Sequence, residues 1–205
     1  MIGIIDYNAG NITSVERALK KLNIDYILSK NPEDLQKCDK LIFPGVGDAA
    51  YAMEELKKSG FDSFIKEKTA AKIPLLGICL GSQIIFQLSE EGNTPCLGLI
   101  NGSIKHFYTI DASLKKQLKV PHMGWNNLEY HSECPILKNI PQNADFYFVH
   151  SYVICPEDKS VIKASADYGI KVPAVIQKDN IFACQFHPEK SGQAGLTILE
   201  NFCNL

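Results

Sequence analysis

Apolar residues follow two different rhythms along this chain. In the first half, short apolar runs alternate with longer stretches in which apolar residues recur every three to four positions. Positions 2–6 are an apolar run that predicts a strand, followed by a turn over 7–10. Over 11–22, Ile12, Val15, Leu19 and Leu22 fall on one stripe, the spacing of an amphipathic helix. A second strand is expected at 26–28, and Asn31 with Pro32 opens a short helix. Positions 40–43 read as a third strand that stops at Pro44. Helices are expected at 48–58 and 61–69. Positions 74–79 are short and wholly apolar, as in a parallel strand covered on both faces. A helix over 82–88 follows. This β-α-β-α order predicts a three-layer, flavodoxin-like α/β fold, with an open, mostly parallel sheet between two helical layers.

The second half changes rhythm. Candidate strands fall at 99–107, 125–128, 146–153, 161–166, 174–177 and 181–185, and several alternate apolar with polar residues. That is the pattern of half-exposed antiparallel strands, so an antiparallel portion is added to the parallel sheet. Positions 194–202 form a closing helix. No repeat, low-complexity tract or linker interrupts the 205 residues, which we treat as one domain, 1–205. In such a sheet, functional residues collect on loops at the carboxyl ends of the parallel strands.

Composition narrows the function. Apolar residues make up 45% and charged residues 21%, within the globular range. The formal charge of −2 supplies no basic field for a nucleic acid. Arg17 is the only arginine, which leaves little bidentate chemistry for phosphate. No stretch is apolar enough to span a bilayer, and the first residues read as a strand rather than a leader, so a cytoplasmic protein is expected. The seven cysteines, Cys38, Cys79, Cys96, Cys134, Cys155, Cys184 and Cys203, are odd in number and contain no Cys-x-x-Cys pair. Neither a disulfide framework nor a zinc site is supported, and no metal or cofactor is expected.

One cysteine differs from the rest. Residues 77–81 read Gly-Ile-Cys-Leu-Gly between an apolar strand and a helix. This is the nucleophile elbow, with cysteine in place of serine. Glycines on both sides relieve the clashes of a sharp turn, and the positive end of the following helix, from about Ser82, is expected to favour the Cys79 thiolate. Without that setting, a cysteine is a small buried hydrophobe.

A thiol nucleophile needs a base, and the base needs orienting. His187 lies in Gln-Phe-His-Pro-Glu (185–189), just after a predicted strand, and Glu189 lies two residues on. In an extended segment both side chains project to one side, so Glu189 can hold one imidazole nitrogen and leave the other for the thiol. His106 and His131 sit in polar stretches. His122 and His150 lie in apolar company, where a hydrogen-bonded structural role near the site rim is expected. Pro-Gly-Val-Gly (44–47) follows the third strand, and its glycines allow N–H groups to turn toward a developing oxyanion. The competing reading is a dinucleotide loop, Gly45-x-Gly47-x-x-Ala50. Against it, the segment is not on the first strand and no acidic residue follows about twenty positions later at a strand end.

This constellation resembles the class-I (triad) glutamine amidotransferases. The segments 5–11, 44–49, 121–126, 147–152 and 185–191 narrow the resemblance to the glutaminase subunits of imidazole glycerol phosphate synthase, from end to end of the chain. The resemblance implies roles at matching positions. Cys79 attacks the glutamine amide, and His187 and Glu189 complete the triad. The backbone at Val46 and Gly47 forms the oxyanion hole, as built or after a peptide rearrangement. Gln83 and Glu91 hold the substrate, with Ser151 and Tyr152 on a neighbouring loop. Asn11, Ser14, Trp125, Tyr147 and Lys190 face a partner. That partner is a TIM-barrel cyclase in a heterodimer, which takes the ammonia for a ribulosyl phosphate and yields imidazole glycerol phosphate and a purine intermediate in histidine biosynthesis. Ser82 and Asn101 depart from the usual pattern. They leave open a paralogue feeding another synthase, such as a sugar-amidating enzyme of surface polysaccharide synthesis.

Overall fold

A computed structural model describes residues 1–205. Fourteen strands and six helices follow the chain. The strands are β1 Ile2–Ile5, β2 Tyr26–Ser29, β3 Lys40–Gly45, β4 Leu75–Cys79, β5 Leu88–Ser89, β6 Thr94–Pro95 and β7 Gly102–His106, then β8 His122–Asn127, β9 Glu129–Tyr130, β10 Asp145–His150, β11 Tyr152–Pro156, β12 Ile162–Asp167, β13 Lys171–Lys178 and β14 Ile181–Cys184. The helices are α1 Ile12–Lys21, α2 Ala49–Ser59, α3 Phe61–Ala70, α4 Leu80–Ile84, α5 Phe107–Ile110 and α6 Gly192–Cys203.

An eight-stranded sheet, in the order β2-β1-β3-β4-β14-β13-β12-β9, forms the middle layer. Its first five strands are parallel, and β13, β12 and β9 extend it antiparallel. Strand pleating sends neighbouring residues to opposite faces, and the two cores divide accordingly. Leu41, Phe43 and Leu75 pack with α2, α3 and α4, whereas Ile42, Leu76 and Ile78 pack with α1 and α6. This is the predicted three-layer arrangement with its antiparallel addition. A two-stranded ribbon, β10-β8, and a four-stranded sheet, β11-β7-β5-β6, flank it.

Three expectations are corrected. Pro44 does not end the third strand, which runs to Gly45 with Pro44 opposite Ile78. Leu41 N–H donates toward β4, so by alternation the Pro44 nitrogen faces β1. The β1 ladder already ends at Ile4 and Ile42, and no hydrogen bond is lost there. The helix expected over 82–88 is only Leu80–Ile84, because the chain then turns and Leu88 enters a strand opposite Pro95 and Ser103. The strand expected over 146–153 is two strands broken at Ser151. Its first part pairs with β8, and its second part crosses to β7.

Candidate active site

The elbow is built by interlocking glycines. Cys79 ends β4 with φ 54 and ψ −112, a left-handed conformation that a non-glycine residue holds only when its surroundings demand it. A Cβ on Gly77 would stand 2.8 Å from the Gly81 carbonyl oxygen, and one on Gly81 would stand 2.0 Å from that of Phe43. Gly45, opposite Cys79 in the β3–β4 register, would meet the Gly81 nitrogen at 2.6 Å. Ser82 Oγ donates to the Cys79 carbonyl and closes the turn. Helix α4 starts directly after Cys79 but has five residues, so it accumulates less dipole than the longer helix expected there.

His187 sits on the turn that follows β14. Its N–H donates to the Tyr147 carbonyl at 2.9 Å. Ser191 Oγ donates to the His187 carbonyl, and Tyr147 N–H donates to Ser191 Oγ at 2.9 Å. On its side chain, Nδ1 lies 2.7 Å from Glu189 Oε1, and Nε2 is buried without a partner. Both side chains are almost fully enclosed. Burial disfavours the imidazolium. The nearby Cys79 sulfur, and the Glu189 carboxylate through its hydrogen bond and charge, outweigh burial and hold His187 protonated to about 9. Burial instead pushes up the thiols of the other six cysteines.

A cavity of about 320 Å³ opens beside Cys79, within the size range of small-ligand sites. The structure brings Val46, Gly47, Gln83, Glu91, Ser151 and Tyr152 to its wall together with Cys79 and His187. Gln83 Nε2 donates to the Tyr152 carbonyl at 3.1 Å and to Gln185 Oε1 at 3.0 Å. Glu91 Oε2 accepts from Ala49 N–H at 2.9 Å, which ties the start of α2 to the far wall. Burial pushes the Glu91 carboxyl up, opposed by that bond and assisted by the Asp48 charge. Of the two arrangements expected for the glycine loop, the structure has the one that needs a peptide rearrangement. Val46 N–H donates to the Ala9 carbonyl at 2.8 Å and so does not point into the cavity.

Leu80, Pro121 and Val149 also line the cavity and were not anticipated as site residues; His150, expected near the site rim, lines it too. The elbow pattern itself pointed to Leu80, since the residue after the nucleophile places its N–H beside the reacting carbon. His150 and His122 are both buried. His150 Nδ1 lies 2.8 Å from the Tyr152 carbonyl, which only a protonated nitrogen can satisfy. Its Nε2 then accepts from His122 Nδ1 at 3.0 Å. Burial pushes His122 down to about 4. Burial also lowers His150, to about 3, against the Tyr152 bond and with help from His122 and His187.

Outside the cavity, the β8–β10 ribbon pairs Trp125 with Tyr147, rings 6.0 Å apart, and Lys190 Nζ lies 6.0 Å from the Tyr147 ring. Trp125 is 58% exposed, as is its neighbour Met123 at 61%, a residue sequence reasoning passed over although it alternates with Trp125. Asn11 and Ser14 open α1, which packs on the turn carrying Lys190, and Ser14 Oγ donates to Asn11 Oδ1 at 3.3 Å. A larger open depression of about 1010 Å³ lies at the β9–β12 edge. It carries no nucleophile and base in register: His131 is tied to Ser165 Oγ at 2.8 Å, and Cys134 is buried. No group of three His, Cys, Asp or Glu side chains is arranged to hold a metal ion, and no helix is long and apolar enough to cross a membrane.

Comparisons with known proteins point to one family. The profile for class-I glutamine amidotransferases matches residues 3–205. The chain is 48% identical over 207 residues to imidazole glycerol phosphate synthase subunit HisH 1 of Campylobacter jejuni (strain RM1221), covering 100% of both chains. It is 45% identical over 206 residues to subunit HisH of Geobacillus sp. (strain WCH70), covering 100% of this chain and 97% of the relative. A crystal structure described as a glutamine amidotransferase superposes with a TM-score of 0.75 at 18% identity, over 100% of this chain and 99% of that one, and supports the fold.

Proposed function

This chain belongs to the class-I glutamine amidotransferases, and within them to the HisH subunits of imidazole glycerol phosphate synthase, and on that premise we propose how its residues carry out the work. The chain hydrolyses glutamine to glutamate and ammonia for histidine biosynthesis. Cys79 thiolate attacks the side-chain amide carbon, and the carbonyl π pair moves onto oxygen. When the tetrahedral adduct collapses, the C–N bond breaks, the nitrogen takes a proton from His187, and ammonia departs. His187 then takes a proton from water, whose oxygen attacks the thioester. The C–S bond breaks, and glutamate leaves Cys79 as a thiolate again beside the imidazolium. Glu189 keeps the imidazole oriented throughout. Leu80 N–H and the backbone at Val46 and Gly47 receive the oxyanion, each donor worth ~2.7–4 kcal/mol of barrier. Gln83, Glu91, Ser151 and Tyr152 position the substrate.

The observation that carries this reading is the strained Cys79 beside an imidazole whose Nδ1 is held by Glu189 and whose Nε2 is buried without a partner. The ammonia passes to a synthase partner, a TIM-barrel cyclase docked on Asn11, Ser14, Trp125, Tyr147 and Lys190. Ammonia is a nucleophile only while unprotonated, so a dry route to the acceptor matters at neutral pH. The chain acts as one domain, 1–205, in the cytoplasm, where reducing conditions keep the thiol free. The test is Cys79→Ala in the assembled synthase. Glutamine-dependent synthesis disappears, and ammonia-dependent synthesis with the ribulosyl phosphate substrate remains. Glutamate release by that variant would overturn the mechanism. Failure of the wild-type complex to use the ribulosyl phosphate, with glutamine hydrolysis intact, would point to a sugar-amidating synthase instead.

A further inference from the structure

Tyr7 is a buried polar group beside this site, against Gly45, that the chemistry above does not use. Its side chain is 1% exposed, its ring packs on Phe43 at 5.3 Å, and its hydroxyl has no hydrogen-bond partner. A hydroxyl buried that way is a liability unless it is satisfied in another state of the molecule. The hydroxyl oxygen lies 2.7 Å from where a Cβ on Gly45 would stand, so it lies against the root of the Pro44–Gly47 loop. Burial, and then the nearby Cys79 charge, push its pKa far up, and it remains a donor at any working pH.

That loop rests in an orientation unsuited to an oxyanion. Val46 N–H donates to the Ala9 carbonyl. The N–H and C=O of one trans peptide point in opposite directions, so the Gly45 carbonyl points away from Ala9. Aiming the Val46 N–H at a tetrahedral oxygen requires this peptide to turn over, which carries the Gly45 carbonyl to the side of Ala9. Ala9 offers only another carbonyl there, and two acceptors repel. A donor is needed, and the Tyr7 hydroxyl is unpartnered and lies against Gly45, the residue whose carbonyl moves. Gly47, with no atom within 4 Å of a Cβ, leaves the loop room to move.

We propose that Tyr7 is a positioning residue for the oxyanion hole, its hydroxyl donating to the Gly45 carbonyl once the Gly45–Val46 peptide has turned and holding that orientation. The proposal rests on the glutaminase reading. The test is Tyr7→Phe in the assembled synthase, with wild type alongside. The kcat for glutamine hydrolysis falls about two- to twelvefold, the worth of one neutral hydrogen bond, and KM stays within about twofold because ground-state binding is untouched. The melting temperature stays level or rises, since an unsatisfied hydroxyl has been removed. Alkylation of Cys79 by iodoacetamide keeps its rate and pH profile, because that reaction forms no oxyanion. An unchanged kcat, a change in KM alone, a lower melting temperature, or a parallel loss of alkylation would each overturn the proposal. A wild-type complex that released no glutamate from glutamine would overturn the glutaminase reading, and this inference with it.

Discussion

Two loops leave neighbouring parallel strands side by side, and they are constrained in opposite ways. The elbow after β4 is fixed from every direction. Gly77, Gly81 and Gly45 interlock around it, Ser82 closes it, and Cys79 is held in a conformation it would not choose. The glycine loop after β3 has open space around Gly47, and Val46 directs its amide to Ala9 rather than to the cavity. The nucleophile and its base are thus assembled in the resting chain, while the Val46 amide proposed for the oxyanion hole is not turned to the cavity. On the proposed mechanism, a glutaminase built this way releases more ammonia once the loop turns. That suits a subunit whose product is wanted only when an acceptor is in place.

Glu189→Gln attacks the assembled side of this contrast most severely. The amide presents its own N–H to His187 Nδ1 and favours the wrong tautomer. In the complex, kcat for glutamine falls on the order of 10³–10⁴-fold with KM little changed. Retention of more than a tenth of the activity would remove Glu189 from the triad. Glycine substitutions test the mechanical side. A Gly81→Ala Cβ meets the Phe43 carbonyl oxygen at 2.0 Å, and we expect a loss of about 3–5 kcal/mol in chemical denaturation. Gly47→Ala meets nothing and bears only its φ of +93, which costs about 1 kcal/mol. Equal losses at the two positions would erase the distinction between rigid elbow and open loop.

The smallest effect is read by pH. An unfolded histidine releases its proton near ~6.5, whereas His187 in the fold retains its proton to about 9. Between those values the folded chain binds the extra proton, so its stability falls as pH rises. The contribution is fully present below the unfolded pKa and is lost through about 9, on the order of 1–3 kcal/mol for this coupled pair. Thermal melts across that window measure it, and His187→Gln flattens the slope. A wild-type slope of the opposite sign would mean the buried imidazole is neutral.

Much of this was visible in the sequence because it depends on local pattern. The elbow glycines, the strand before them and the His-Pro-Glu turn need only short spacing. What escaped depends on pairing partners. Phe146 through Val153 is rich in aromatic residues and valine along its length, and nothing in it shows that the chain changes sheets at Ser151. The apolar run after Ser82 fits a helix as well as a turn into β5. The direction of the Val46 amide is fixed by a carbonyl 37 positions earlier, at Ala9, and no composition reports it.

Tyr147 has one further implication. Its ring lies on the outer ribbon beside Trp125, while its backbone carbonyl and amide hold His187 and Ser191. The proposed docking face and the anchor of the catalytic histidine therefore meet in one residue. An engineer who wished to redirect this glutaminase to a foreign synthase could repaint side chains on that ribbon. Insertions, deletions or a transplanted strand would displace the backbone that anchors the catalytic base, so the ribbon and the histidine turn would have to be exchanged together.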